Sequence, residues 1–348
     1  MPDDATRSSR LLRSLSFRNI SALYIFAALF VIFALWVPDT FLTSTNFRTL
    51  LDNQALTAIV AVGLVLALSA GLFNLAVGAE VGFASILVAY LLSKQDMGIA
   101  PAIALTVVAG GLVGIVSGLL VVHARIDSFI ATLGMSSVLL AGVAWVSSGQ
   151  QILDLGASFQ KVGTGQIVGI TYPVYIMAVL GLIVWYVLER TPAGRRIYAT
   201  GGNIEAARLA GVRTGRVIIL SLAGCGVLAA IAGLLATSRL ATGDPTTGPS
   251  YLLPAFAAAF LGSTQFRGGR YNVAGTIVAA YVLATGVKGL QLAGAPIWIP
   301  DLFNGVALLL AVGLSKYQRT AGRASAIGRM IGRDRAGRRP AAADPAAP

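Results

Sequence analysis

Glu80 is the side chain with most scope for chemistry. It follows Gly71, Asn74 and Gly78 in LSAGLFNLAVGAEVG (68–82), where two apolar runs meet with no proper loop between them. A carboxylate placed within an apolar length is costly, so it usually serves a function or has a partner. The glycines and the Asn fit an unwound or re-entrant segment, which membrane depth tolerates only where protein or a water-filled cavity surrounds it. Backbone donors and acceptors freed there would suit a polar, uncharged solute such as a sugar, and Gly71, Asn74, Gly78 and Glu80 are the candidate pathway residues. A tight inner turn uses the same residues, with Glu80 one or two turns up a helix and paired to a neighbour. Both readings stand at this point.

Few other groups could react. One Cys (Cys225) and one His (His123) exclude an intrachain disulfide framework and a His/Cys metal cluster, and both read as packing residues at helix ends or in helix interiors. The chain has no Gly-x-x-x-x-Gly-Lys-Ser/Thr loop, so by that motif it neither binds nor hydrolyses ATP. No Ser/His/Asp set and no paired carboxylates on an inner loop suggest a hydrolase, and the chain is expected to be no enzyme, binding no metal or cofactor itself.

The elements that must position these residues are membrane spans. With 56% hydrophobic residues, 11% charged residues and a mean hydropathy of +0.78, the 348-residue chain is far more apolar than a soluble domain. Apolar runs at 20–37, 56–70, 72–92, 99–122, 129–147, 172–188, 217–238, 252–261, 273–291 and 297–315 predict about ten spans, the second and eighth short for the roughly 20 residues a crossing helix needs. Pro38, Asp39 and Thr40 follow the first run directly, so no signal-peptide cleavage site is expected. With the N-terminus inside, 21 of the 26 Lys and Arg fall on inner segments, and both termini are cytoplasmic. The net charge of +12 is thereby an orientation signal rather than a sign of nucleic-acid binding. The expected architecture is an all-α polytopic membrane protein. A basic segment occupies 1–19 and the spans 20–316, and a basic, disordered tail at 317–348 touches anionic lipid headgroups of the membrane.

The most conspicuous inner segment is the basic loop 189–216, ERTPAGRRIYATGGNIEAARLAGVRTGR. Asn203 can cap a short helix, 204–210 is rich in helix formers, and Gly211 suits the left-handed position that ends it. One acid, small alanines, then Arg208 and Leu209 suit docking into a partner's cleft; an ordinary amphipathic connector is the alternative.

Glu205, Ala206 and Ala207, followed after three residues by Gly211 and preceded by Gly201, Gly202 and Asn203, resemble the cytoplasmic coupling loop of the ribose/xylose/galactose permease family of ABC importers. The 71–78 segment is similar to that family's Gly-Ile-Asp-Leu-Ser-Val-Gly, with Asn74 in place of the Asp and Ala76 in place of the Ser. GSTQFRGGRYNVAGTIVAA (262–280) resembles its inner loop after span eight, matching at Gly262, Gly268, Gly269 and Gly275, with Gln265 and Phe266 replacing small residues. The family's acidic residue after the exterior Tyr is missing, since Leu252 follows Tyr251.

The resemblance covers about 41–316. It implies a permease subunit in a bacterial inner membrane, translocating a monosaccharide or related polyol. Asn203, Glu205, Ala206, Ala207, Arg208, Leu209 and Gly211 would form the coupling helix, seated in a separate ATPase that uses ATP and Mg. A second permease copy or a paralogue and a periplasmic binding protein would complete the importer. A stand-alone ion-coupled transporter is the competing reading, but such carriers usually place several ionisable groups at midplane, and Glu80 has few companions.

Gly110, Gly114 and Gly118 leave one face of the fourth span nearly bare, for close helix packing. Gly78 and Gly82 repeat the spacing. Trp36, Trp145, Trp185 and Trp298 sit near run ends, as an aromatic belt requires. The long segment 148–171 is expected as an exterior loop able to meet a delivery protein, and 241–250 as an exterior turn cluster.

Overall fold

The structure is a computed structural model that describes residues 21–264 and 269–313. The basic segment 1–19, the tail 317–348, and Gln265, Phe266 and Gly268 lie outside the described residues.

Each of the ten apolar runs coincides with one helix. These are α1 (Ser21–Trp36), α3 (Ser44–Ser69), α4 (Val77–Ser93), α5 (Ile99–Val122), α6 (Ser128–Ser147), α8 (Tyr172–Arg190), α11 (Thr214–Leu240), α12 (Leu252–Ser263), α13 (Val273–Leu292) and α14 (Ile299–Gly313). Six of them, α3, α5, α6, α8, α11 and α13, are long and apolar enough to cross a membrane. Short helices fill the connections: α2 (Pro38–Phe41), α7 (Ala157–Thr164), α9 (Pro192–Gly202) and α10 (Ile204–Leu209).

Burial sorts the spans into two layers. Within their apolar windows α3 is 72% and α11 61% buried by protein, whereas α5, α6 and α8 reach only 28%, 22% and 28%. Since those outer helices are as apolar as the inner ones, their free faces are suited to lipid rather than water. α11 packs along α3, α4 and α5, while α13 packs on α12 and α3. Phe33 of α1 lies against Phe41 at 5.8 Å between ring centroids and over the bare backbone of Gly289 in α13.

The Gly110, Gly114 and Gly118 face of α5 lies directly on α11. A Cβ at Gly110 would sit 2.5 Å from the Ala230 Cβ, one at Gly118 2.7 Å from the Ile219 Cα, and one at Gly114 would run into the Leu222 carbonyl. Bare backbones let the two helices come this close, and packing is what holds helices together where no water drives them.

Three connections differ from the sequence expectation. The second span is not short: α3 begins twelve residues before the apolar run, because Thr43 caps its start by accepting from the Asn46 N–H at 3.2 Å. The segment 148–171 folds into α7 and a two-residue hairpin, β1 (Gln166–Ile167) with β2 (Ile170–Thr171), and α7 packs on α11.

The third difference lies in 241–250, which does not stay outside. Gly243 abuts Ser85 and Ala89, and Gly248 abuts Gly78 and Gly82, so the chain follows α4 for roughly 15 Å at 1.5 Å per residue before α12 begins. That descent explains why α12 has only 12 residues.

Candidate functional site

The 70–76 segment is a turn between two helices rather than a break within one. Gly71 takes φ +81, a left-handed conformation that side chains other than glycine adopt at a cost. The backbone beyond it is held by the first turns of α6: the Phe73 N–H donates to Ser128 Oγ at 3.2 Å and the Leu75 N–H to Thr132 Oγ1 at 3.0 Å. Such pairing is what a non-helical backbone needs wherever water is excluded.

Asn74 and Glu80 sit at the centre of this turn, 0% and 1% exposed. The Asn74 amide donates to both Glu80 carboxylate oxygens, at 3.3 Å and 3.2 Å, and approaches Cys225 Sγ of α11 at 3.3 Å. Asn74 Oδ1 accepts the Ala76 N–H at 3.1 Å, which fixes the side chain's orientation. A single amide thus ties the turn, the first turn of α4 and α11 together. Glu80 thus stands one turn up a helix and is paired to Asn74.

Of the four candidate pathway residues, Gly71 alone faces open space. It lines a cavity of about 400 Å³ with Ser69, Phe73, Tyr198, Gly201, Arg270 and Tyr271, while Asn74, Gly78 and Glu80 are sealed in protein. Gly78 meets the Gly248 carbonyl, where the descending 243–248 segment crosses α4. Cys225 shares the site without any signal in its sequence neighbourhood, since α11 comes alongside only in the fold.

The other candidate group is α10. The Asn203 side chain accepts the Ala206 N–H at 3.0 Å, and Gly211, at φ +82, ends the segment. Glu205 and Arg208 form an exposed ion pair at 3.7 Å, of a kind that adds little stability. Leu209 is 88% exposed, and Ala207 is the residue of this helix turned inward. Ahead of α10 lies α9, unforeseen in the sequence reading, capped by Thr191 Oγ1 on the Gly194 N–H at 3.4 Å with Pro192 at its first position.

α9 joins the two groups. Its Tyr198 hydroxyl donates to the Tyr271 carbonyl at 2.8 Å, and the Arg270 guanidinium stands 3.5 Å over the Tyr198 ring. Burial raises the Tyr198 phenol above its ordinary value, with the Arg270 charge opposing. Gly201, at the end of α9, presses on the Ser69 carbonyl, and a Cβ at Gly71 would lie 3.1 Å from the Gly201 Cα. The loop carrying α10 is therefore in backbone contact with the turn that holds Asn74.

His123 is exposed at the end of α5, and no group of three or more His, Cys, Asp or Glu able to hold a metal occurs among the described residues.

Residues 46–312 match the family described as branched-chain amino acid transport system / permease component. The chain is 34% identical over 281 residues to the ribose import permease protein RbsC of Escherichia coli K12, covering 79% of this chain and 87% of that one. It is 33% identical over 304 residues to the L-arabinose ABC transporter permease protein AraH of Azospirillum brasilense, covering 87% and 89%. The xylose transport system permease protein XylH of Escherichia coli K12 is 28% identical over 358 residues, covering 84% and 91%. No solved structure matches.

Proposed function

The chain belongs to the family of branched-chain amino acid transport system permease components, and on that premise we propose that it translocates a monosaccharide or related polyol through an ATP-driven importer. It is a transport subunit and a multi-pass inner-membrane protein, not an enzyme. The sugar-permease relatives, rather than the family description, supply the solute class.

The observation that carries the coupling mechanism is α10, a capped six-residue helix with Leu209 exposed outside the spans, on a loop in contact with the Asn74 turn. In this reading a separate ATPase holds Asn203, Glu205, Ala206, Ala207, Arg208, Leu209 and Gly211 in a groove. ATP and Mg act there, and closure of the ATPase pair moves α10. The displacement passes through α9, by Gly201 on Gly71 and Tyr198 on Tyr271, to the turn sealed by Asn74 and Glu80. Substrate enters from a periplasmic binding protein resting on α7 and the hairpin. The pore takes a second copy or a paralogue, and both termini lie in the cytoplasm.

The test is uptake of a panel of labelled sugars into liposomes holding the chain and its ATPase, with and without the binding protein. Uptake that needs both partners and internal ATP is expected. Uptake by the chain alone, driven by an ion gradient, overturns the reading.

A further inference from the structure

A cavity of about 960 Å³ lies apart from the Asn74 turn and reaches the end of α10, where Ala210 and Gly211 line it. α8 and α11 both pack against α3 but make no extensive contact with each other, so a gap opens between two spans and α9 closes it at the loop end. Leu66 of α3, Val187 of α8, and Val217 and Leu220 of α11 line it, with Leu220 69% exposed. Ser221 also lines the gap, and its hydroxyl is buried with no hydrogen-bond partner among the described residues.

Around the mouth stand Arg196 of α9, Arg213, and Arg216 of α11. All three are exposed, and their side chains make no ion pair or hydrogen bond among the described residues. Nor does any carboxylate line the gap. Glu205 is paired with Arg208, and Glu189 is close enough to the Tyr198 phenol to act on its charge.

From this juxtaposition we propose that the gap between α8 and α11 is a site for one anionic phospholipid of the inner leaflet. Its phosphate is held by Arg196, Arg213 and Arg216, and an acyl chain lies over Leu220 and Leu66. Three cations above an apolar slot match a molecule with a charged head and an aliphatic tail. Basic pockets between spans on the cytoplasmic side are suited to anionic lipid. Arg side chains also keep their charge at the headgroup while their stems lie along apolar surface. A soluble partner would satisfy the rim but leave the slot between the spans empty. Because this loop contacts the Asn74 turn, the bound lipid braces the segment through which α10 acts.

The test is native mass spectrometry of the full-length chain titrated with phosphatidylglycerol, phosphatidylcholine or inorganic phosphate. At about 1 kcal/mol per basic side chain, the triple variant R196Q/R213Q/R216Q is expected to hold phosphatidylglycerol roughly a hundredfold more weakly than the parent. Phosphatidylcholine should bind both alike, and phosphate should fail to displace the bound lipid. Leu220→Trp, which fills the slot and leaves the arginines, is expected to weaken phosphatidylglycerol as well.

Equal phosphatidylglycerol binding by parent and triple variant overturns the proposal, as does phosphate alone competing fully. Loss of ATPase co-purification by the triple variant with lipid retained would assign the arginines to the partner instead. The lipid measurement needs neither transport nor ATPase, so its failure is distinguishable from failure of the importer reading.

Discussion

The turn at 70–80 and the helix at 203–211 are both short polar interruptions between apolar spans, and they dispose of their polarity in opposite ways. In the turn the polar side chains and the backbone next to them are answered inside the chain: Asn74 by Glu80 and Ala76, and the N–H groups of Phe73 and Leu75 by Ser128 and Thr132. In the helix the backbone is capped by Asn203, but Glu205, Arg208 and Leu209 face outward, with only one weak ion pair among them. An interior that excludes water forces the first solution. The second is stable because water solvates it, which leaves the surface available to a partner. A self-contained turn and a solvated surface helix are joined at Gly71 and Gly201, and in the proposed coupling the helix transmits and the turn receives.

The largest effect should come from breaking the closed half. Asn74→Leu removes the amide from a fully buried carboxylate, and a loss of about 2 kcal/mol is expected from the unanswered hydrogen bonds. Thermal unfolding of the detergent-solubilised chain reads this as a lowered midpoint. An unchanged midpoint would mean that Glu80 finds another partner and the turn is not held by Asn74. Glu80→Gln keeps a hydrogen-bonding group in place, so assembly with the ATPase should persist while uptake changes. Uptake equal to the parent's would reduce Glu80 to packing.

Next in size is the open half. Glu205→Lys reverses an exposed charge and leaves the fold's melting point alone, but co-purification of the ATPase should fall at least tenfold. Unaltered recovery of the ATPase would show that α10 is a connector. Asn203→Ala should loosen the helix by about 1 kcal/mol, the usual value of such a cap. Hydrogen exchange of the 204–210 amides would then quicken about fivefold while the 70–76 amides stay protected. Equal acceleration in both regions would mean they are one cooperative unit rather than two.

Much of this contrast was legible in the sequence because it rests on local rules. Apolar length placed a helix on every run, and Asn203 with Gly211 marked the ends of α10 through capping and left-handed geometry that neighbouring residues dictate. The glycine spacing of α5 marked a close-packed face, though not that α11 would lie on it. What remained hidden depends on distant partners. Cys225 meets Asn74 across 151 residues, and Gly201 meets Gly71 across the whole intervening bundle. The descent of 243–248 along α4 has no periodicity to announce it, because Gly243 meets Ser85 and Ala89 and Gly248 meets the backbones of Gly78 and Gly82, all on a distant element.

The smallest predicted effect tests whether the far end of the bundle shares the closed character of the turn. Asp244 accepts the Thr246 N–H and hydroxyl, both at 2.7 Å, and Gln151 Nε2 at 2.9 Å, beside the Ile152–Gly243 bridge. The Thr246 N–H, then its hydroxyl, hold the Asp244 carboxyl below the ordinary aspartate value. A depressed folded value means that the stabilisation is fully present above the ordinary pKa near 3.9 and is lost as pH falls through the lower, folded one. Exchange of the Ile152, Gly243 and Thr246 amides, corrected for intrinsic rates, should therefore be unchanged from pH 8 to 5 and accelerate only in stronger acid. Asp244→Asn should remove that acid step. An identical acid response in the variant would assign the step to another carboxyl and leave the 148–171 and 241–251 segments joined by the backbone bridge and the Thr242 hydroxyl on the Ile152 carbonyl.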